Sequence, residues 1–177
     1  SNVEVLVPQL VRVCERLNKL GKLVVVPGVE VTHVPPEDLG AVVDSARSAG
    51  AQLIVVPGAT TVEPVAPGTN RAALELDINI LAHPGLITKQ EAALAAKRGI
   101  ALELSARRGH SLSNGHVARM AKETGATLIL NTDTHEPQDL LTFAEAKRVI
   151  LGAGLGPKDV ERIYADAARL VKKIKNS

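Results

Sequence analysis

Apolar residues in this chain recur at two periods in turn. Val3, Val7, Leu10, Val11, Cys14 and Leu17 fall at helical spacing, with Pro8 read into the tolerant first turn and Gly21 as the stop. Leu23-Val-Val-Val26 is an unbroken branched run, as in a strand buried on both faces. Pro35-Pro36 opens a second helix with Leu39, Val42, Val43 and Ala46 on one face, and Leu53-Ile-Val-Val56 is the next strand, stopped by Pro57-Gly58. After a long loop, Thr69 or Asn70 can cap a short helix through Leu76. Ile78 to Ala82 and Ile100 to Ser105 are the third and fourth strands, and between them Thr88-Lys-Gln-Glu91 is a capping box. Ser113 to Thr124 is a helix closed by Gly125, Leu128 to Leu130 starts the fifth strand, Thr142 to Glu145 is a second capping box, and Pro157 starts a last, basic-ended helix.

Strand and helix therefore alternate, and the strands are apolar throughout. The pattern predicts an α/β fold around a parallel sheet, with ligands at the carboxyl ends of the strands. A flavodoxin-like open sheet and a barrel both fit, and no glycine fingerprint separates them.

Composition narrows the setting. The chain has 177 residues, which predicts one domain over 1–177, and 45% are hydrophobic, enough for a sizeable core. A net charge of +2 gives no polyanion-binding signal, so nucleic acid is not the expected partner. Cys14 has no second cysteine to pair with, which favours a reducing compartment. No apolar run approaches the roughly 20 residues that cross a bilayer, and no basic-then-apolar leader pattern is present, so a cytoplasmic protein with no membrane partner is expected.

The polar residues that follow the strands carry the chemistry. Asp133 and His135, two apart after the fifth strand, point the same way and suit a divalent metal. Glu30 and His83 stand after two other strands, and four residues of ligand type at equivalent places form one candidate metal set, suited to Zn, Mn or Fe. The alternative for each is a turn or solvated loop residue. Gly68-Thr69-Asn70 at a helix start offers backbone N–H groups to an anion, and Arg107, Arg108 and His110 share one loop after the fourth strand; together they predict a phosphate site. A solvated basic loop is the plainer reading of that segment. His116 is assigned to a helix surface or cap and His33 to the Pro35-Pro36 turn. Glu103 would be costly if it pointed inward without an arginine partner.

Pro27-Gly-Val-Glu-Val-Thr-His-Val-Pro-Pro36, Leu81-Ala-His-Pro-Gly85, Asn131-Thr-Asp-Thr-His135 and Glu63-Pro-Val-Ala-Pro-Gly-Thr-Asn70 resemble, in order, motifs of the PHP (polymerase and histidinol phosphatase) family, in its histidinol-phosphatase-like branch. The resemblance implies a distorted seven-stranded β/α barrel, of which this chain would supply a five-stranded part. It implies metal-dependent hydrolysis of a small phosphate monoester with Zn, Mn or Fe. By position Glu30, His83, Asp133 and His135 match metal ligands, and Asp133 and His135 are taken as catalytic. Two departures weaken that implication. The family's opening His-x-His strand and following Asp-His strand have no counterpart here, so the first two strand-helix units are expected to be absent. Pro57 stands where similar sequences have a histidine, and Ala59 where many have an acid. Metal occupancy is thereby reduced. The alternative is a degenerate or engineered fragment that serves as a scaffold or anion-binding module. A sheet lacking two units would also have open edges, which predicts a homo-oligomer.

Overall fold

The structure is a computed structural model and describes residues 2–176. Five strands, β1 (Gly28–Glu30), β2 (Leu53–Pro57), β3 (Ile80–Ala82), β4 (Ala101–Ser105) and β5 (Leu128–Asn131), form one sheet. Seven helices alternate with them: α1 (Val3–Lys19), α2 (Leu39–Ser48), α3 (Thr69–Leu74), α4 (Lys89–Arg98), α5 (Asn114–Thr124), α6 (Phe143–Gly152) and α7 (Pro157–Lys175). Short 3-10 turns cover His110–Ser113 and Pro137–Asp139. No helix among the described residues is long and apolar enough to cross a membrane.

The strands pair in parallel and in chain order, β1-β2-β3-β4-β5. Right-handed crossovers between successive parallel neighbours put their connecting helices on one face. A flavodoxin-like sheet would reverse direction at β1 and carry helices on both faces. The strand order therefore decides the alternative left by the sequence in favour of a barrel-like β/α arrangement, here open between β1 and β5.

The two faces have different contents. Leu39, Val43, Ile54, Val56, Leu74, Leu81, Leu102, Leu104, Val117 and Ile150 build the main core between sheet and helices. On the opposite face Ile80, Ala101 and Ile129 form a smaller apolar cluster, with Leu53 and Val55 beside them and Ala167 and Leu170 of α7 laid across. That cover stops short of the strands' carboxyl ends. The same face carries Glu30, Pro57, Glu103 and Asn131 there, since side chains two apart on a strand share a face.

Both capping boxes form: Thr88 with Glu91 opens α4, and Thr142 with Glu145 opens α6. Gly125 closes α5 in the left-handed conformation. Elsewhere the expectations are corrected. The strand read at Leu23–Val26 lies later, at Gly28–Glu30, and Leu23 is 76% exposed. Val25 is unavailable to a sheet because the Asn18 side chain accepts its N–H and donates to its carbonyl. Pro8 lies in the second turn of α1 rather than the first, and the helix continues past it. The Pro35-Pro36 segment forms a turn, with Asp38 N–H donating to Pro35 O, and α2 begins only at Leu39.

Neither Thr69 nor Asn70 caps α3. Thr69 Oγ1 donates to Ala66 O at 2.7 Å. Asn70 Oδ1 accepts Ala59 N–H at 2.8 Å, and its Nδ2 donates to Pro84 O at 3.0 Å. This one side chain clamps the loop after β2 to the loop after β3. The loops approach so closely that a Cβ on Gly85 would lie 1.8 Å from Ala59 O. Gly85 also has φ +61, so glycine is required twice over at that crossing. Asn70→Ala should leave the part-buried Ala59 N–H and the buried Pro84 carbonyl unpaired. It should cost about 2–4 kcal/mol in urea unfolding, whereas a change below about 0.5 kcal/mol would show that the clamp is replaced by water.

Candidate metal centre

β3, β4 and β5 each deliver a polar side chain to the same space. His83 follows β3, His110 sits in the turn after β4, and Asp133 follows β5. One ligand-type atom from each lies within 4.8 Å of the others. The two imidazoles stack at 4.1 Å between centroids and 22° between planes. Asp133 Oδ2 is 4.0 Å from His110 Nε2.

Local structure fixes each group. Nδ1 of His110 is hydrogen-bonded to Thr60 Oγ1 at 2.8 Å, which leaves Nε2 facing Asp133. His83 is 4% exposed and its Nδ1 is buried without a hydrogen-bond partner. A buried polar nitrogen without a partner is costly and calls for a ligand. Burial, and then the neighbouring His110, hold the His83 pKa below the ordinary imidazole value, so it presents a lone pair at neutral pH. His83 and Asp133 both have left-handed backbones, φ 30 and 49. For non-glycine residues that strain costs on the order of 1–3 kcal/mol each and collects at functional sites.

Beneath the cluster lies Glu103, 3% exposed. Its partners are not arginines, as the sequence reading required. Oε2 accepts the His83 backbone N–H at 3.0 Å, and Oε1 accepts from Asn131 Nδ2 at 2.7 Å. Burial pushes its pKa up from 4.5 to about 7 against the pull of those hydrogen bonds, and the charges of Asp133 and Glu30 push it further.

The remaining expected residues surround this centre. Glu30 is exposed at the end of β1, where it accepts from Thr32 Oγ1 at 3.1 Å. Partial burial of its carboxyl raises its pKa; the Thr32 bond opposes this and Asp133 adds to it. Glu30 and Asp133 follow the two edge strands of the sheet, β1 and β5. His135, with its side chain 61% exposed, sits at the rim with Nδ1 2.8 Å from Asp133 O. Arg107 is half-buried against Asp133, and Arg108 is exposed. Thr69 and Asn70 are buried and their side chains bond to backbone. Pro57 lines a cavity of about 200 Å³ with Val31, His33, Val34, Glu63 and Thr69, beside the strand ends. His116 is half-buried, its Nε2 bonded to Ile87 O at 2.7 Å, and His33 is an exposed residue with φ 56.

Of the four residues read as one metal set, the structure brings His83 and Asp133 into the three-residue cluster and sets Glu30 and His135 around it. His110, read as a phosphate contact, is the third member. Its signal in the sequence was faint: it lies in a loop, five residues past β4, so strand-end spacing does not find it.

The fold and this cluster define an α/β protein in which His83, His110 and Asp133 can hold a divalent metal ion at the carboxyl end of a parallel sheet. The chain belongs to the family of the uncharacterized protein MJ1295 of Methanocaldococcus jannaschii, to which it is 42% identical over 163 residues, 91% of this chain and 75% of that protein. It is also 33% identical over 117 residues to two Shewanella proteins, the probable phosphatases Shewana3_2794 (strain ANA-3) and Shewmr4_2619 (strain MR-4); the match covers 55% of this chain and 46% of each of them. No family model matches the chain.

Glu103 gives the centre a pH signature. A carboxyl with its folded pKa raised from 4.5 to about 7 stays protonated in the folded state over a window where the unfolded state has released its proton. Its contribution to stability is therefore full below 4.5 and is lost as pH rises towards 7. His83, with its pKa lowered, acts in the opposite sense, so the comparison must be with a variant. In chelator, Glu103→Gln should gain stability relative to the parent between pH 5 and 7.5, by on the order of 3 kcal/mol. A gap that does not change with pH would mean that Glu103 titrates normally.

Proposed function

We propose that this protein is a metal-dependent phosphoesterase of the histidinol-phosphatase-like PHP type, acting on a small phosphate monoester. The observation that carries the reading is the buried His83, with an unpartnered Nδ1, in a cluster with His110 and Asp133. The probable-phosphatase names of the two Shewanella relatives support it, as does the order of the PHP-like motifs. The chain spans about half the length of those two relatives, so their activity comes to it only as part of this proposal.

The donor set is two imidazoles and a carboxylate, which fits Zn, Mn or Fe. A divalent ion held there would supply polarisation of a phosphoryl oxygen and activation of water. The protein's own groups do the rest. Glu103 holds the His83 backbone, and Thr60 fixes the orientation of the His110 ring. Glu30 and His135 stand at the rim as the further metal or proton-transfer groups of the proposal. Arg107 and Arg108 offer guanidinium forks to the phosphate, and backbone N–H groups near Thr69 and Asn70 are the second anion contact. Pro57 contributes no ligand, so the centre is proposed to hold fewer ions than the multinuclear sites the resemblance implies. An anion-binding scaffold without catalysis is the competing reading.

Elemental analysis separates the two. The purified protein should carry about one equivalent of transition metal, as the three-residue set allows. Asp133→Asn and His110→Ala should each lower metal affinity by more than the roughly 10–100-fold that loss of a supporting group costs, together with hydrolysis of a chromogenic aryl phosphate. His135→Ala should retain the metal. Metal-free protein, or full occupancy in Asp133→Asn, would leave the scaffold reading.

Self-association belongs to the same proposal. Leu6, Leu10, Val13, Leu17, Leu20 and Leu23 are exposed along and just after α1, beside the unpaired edge of β1. Water-exposed apolar surface of that kind invites a partner. Light scattering at micromolar concentration should give a dimer or larger, and a monomer at all concentrations would remove this part of the proposal.

A further inference from the structure

One oxygen of Asp133 faces two neighbours at once. Oδ2 is 4.0 Å from His110 Nε2, inside the cluster. The same Oδ2 is 3.5 Å from Nη1 of Arg107, which also donates to the Asp133 carbonyl at 3.0 Å and meets Nδ1 of His135. Arg107 thus makes with this carboxylate the contact that a metal cation would make from the other side.

Arg107 combines a fixed backbone with a side chain that reaches the edge of the solvent. Its backbone is anchored: its N–H donates to Ser105 Oγ at 3.2 Å and its carbonyl accepts Ser111 N–H at 3.1 Å. Ser105 is itself clamped by Asn114, through Oδ1 to its N–H at 3.0 Å and Nδ2 to its carbonyl at 2.8 Å. The side chain is 32% exposed, held by Asp133 and His135 and beside the exposed Arg108 in sequence. Two cations competing for one carboxylate repel each other, so a guanidinium beside a divalent ion is driven outwards. A guanidinium turned outwards from this loop is free to grip a tetrahedral anion with its fork.

We propose that Arg107 is the resident counter-ion of Asp133 and is released towards solvent when a divalent cation binds at His83, His110 and Asp133, so that cation and phosphate binding are coupled through this one arginine. The inference rests on the metal-centre reading above and adds its order: the cation frees the group that receives the phosphate. By linkage, an anion that holds Arg107 outwards must tighten cation binding by the same factor. A purely structural arginine predicts the opposite sign, because removing it would loosen the loop and weaken the centre.

The test is calorimetric titration of the purified full chain with Mn²⁺, with and without sulfate as a soluble stand-in for phosphate. In the parent protein sulfate should tighten Mn²⁺ binding about five- to tenfold, within the usual range of such couplings. Arg107→Gln, which removes the competing charge, should tighten Mn²⁺ by a similar factor without sulfate and abolish the sulfate effect. Arg107→Lys keeps the charge and should keep the parent's Mn²⁺ affinity within about twofold, with a weaker sulfate effect. Mn²⁺ binding in the parent that sulfate does not change, or equal or weaker binding in Arg107→Gln, would overturn the coupling while leaving the metal centre intact. Absence of Mn²⁺ binding in the parent would overturn the metal centre and the coupling with it.

Discussion

The carboxylate of Glu103 ties together the ends of three strands, adding side-chain bonds to the backbone ladder that sets their register. It rises from β4 and takes the backbone N–H of His83 after β3 and the side-chain amide of Asn131 at the end of β5. A buried carboxyl lowers its own cost by accepting hydrogen bonds, and each bond here fixes a piece of the centre. The His83 N–H is held while its backbone sits at φ 30, a conformation that a residue before proline avoids. Glu103 supplies the acceptor that holds that peptide beneath the cluster. The Asn131 bond does the same for the start of the segment that carries Asp133.

The sheet divides the face opposite its main core along the strand direction. Near the amino ends, Ile80, Ala101 and Ile129 are apolar and α7 covers them with Ala167 and Leu170. Near the carboxyl ends, Glu103 and Asn131 follow two residues on along the same strands, and the face turns polar. One helix thus closes the part of an open sheet that water would destabilise, and leaves uncovered the part where charge is useful. The loops above are joined by side chains rather than by long-range strand pairing: Asn70 joins those after β2 and β3, and Thr60 joins the β2 loop to His110.

Charge is concentrated where it is least solvated. Burial first, and then the charge of Asp133, raise the proton affinity of Glu30 and Glu103, two imidazoles stand nearby, and Arg107 pairs with Asp133. Such a group suits an added cation, because among the described residues neither Glu30 nor Glu103 is paired with an arginine or lysine. The relatives share enough of the chain to place it in the MJ1295 family, while the phosphatase reading depends on this local chemistry.

The sequence by itself determined the alternation of strand and helix, both capping boxes and the position of the chemistry after the strands, because periodicity and caps are local properties. It also marked His83 and Asp133 through their place after a strand. Tertiary structure decided what depends on distance. The strand at Leu23–Val26 was lost to Asn18, a competitor for backbone hydrogen bonds that no periodicity shows. The choice of a barrel-like sheet over a doubly wound one rested on strand order, which alternating patterns share. His110 joined the centre because a loop folds back to Thr60, and His135 remained at the rim although its spacing equals that of a ligand pair, since the left-handed turn at Asp133 breaks the strand's alternation before it reaches His135.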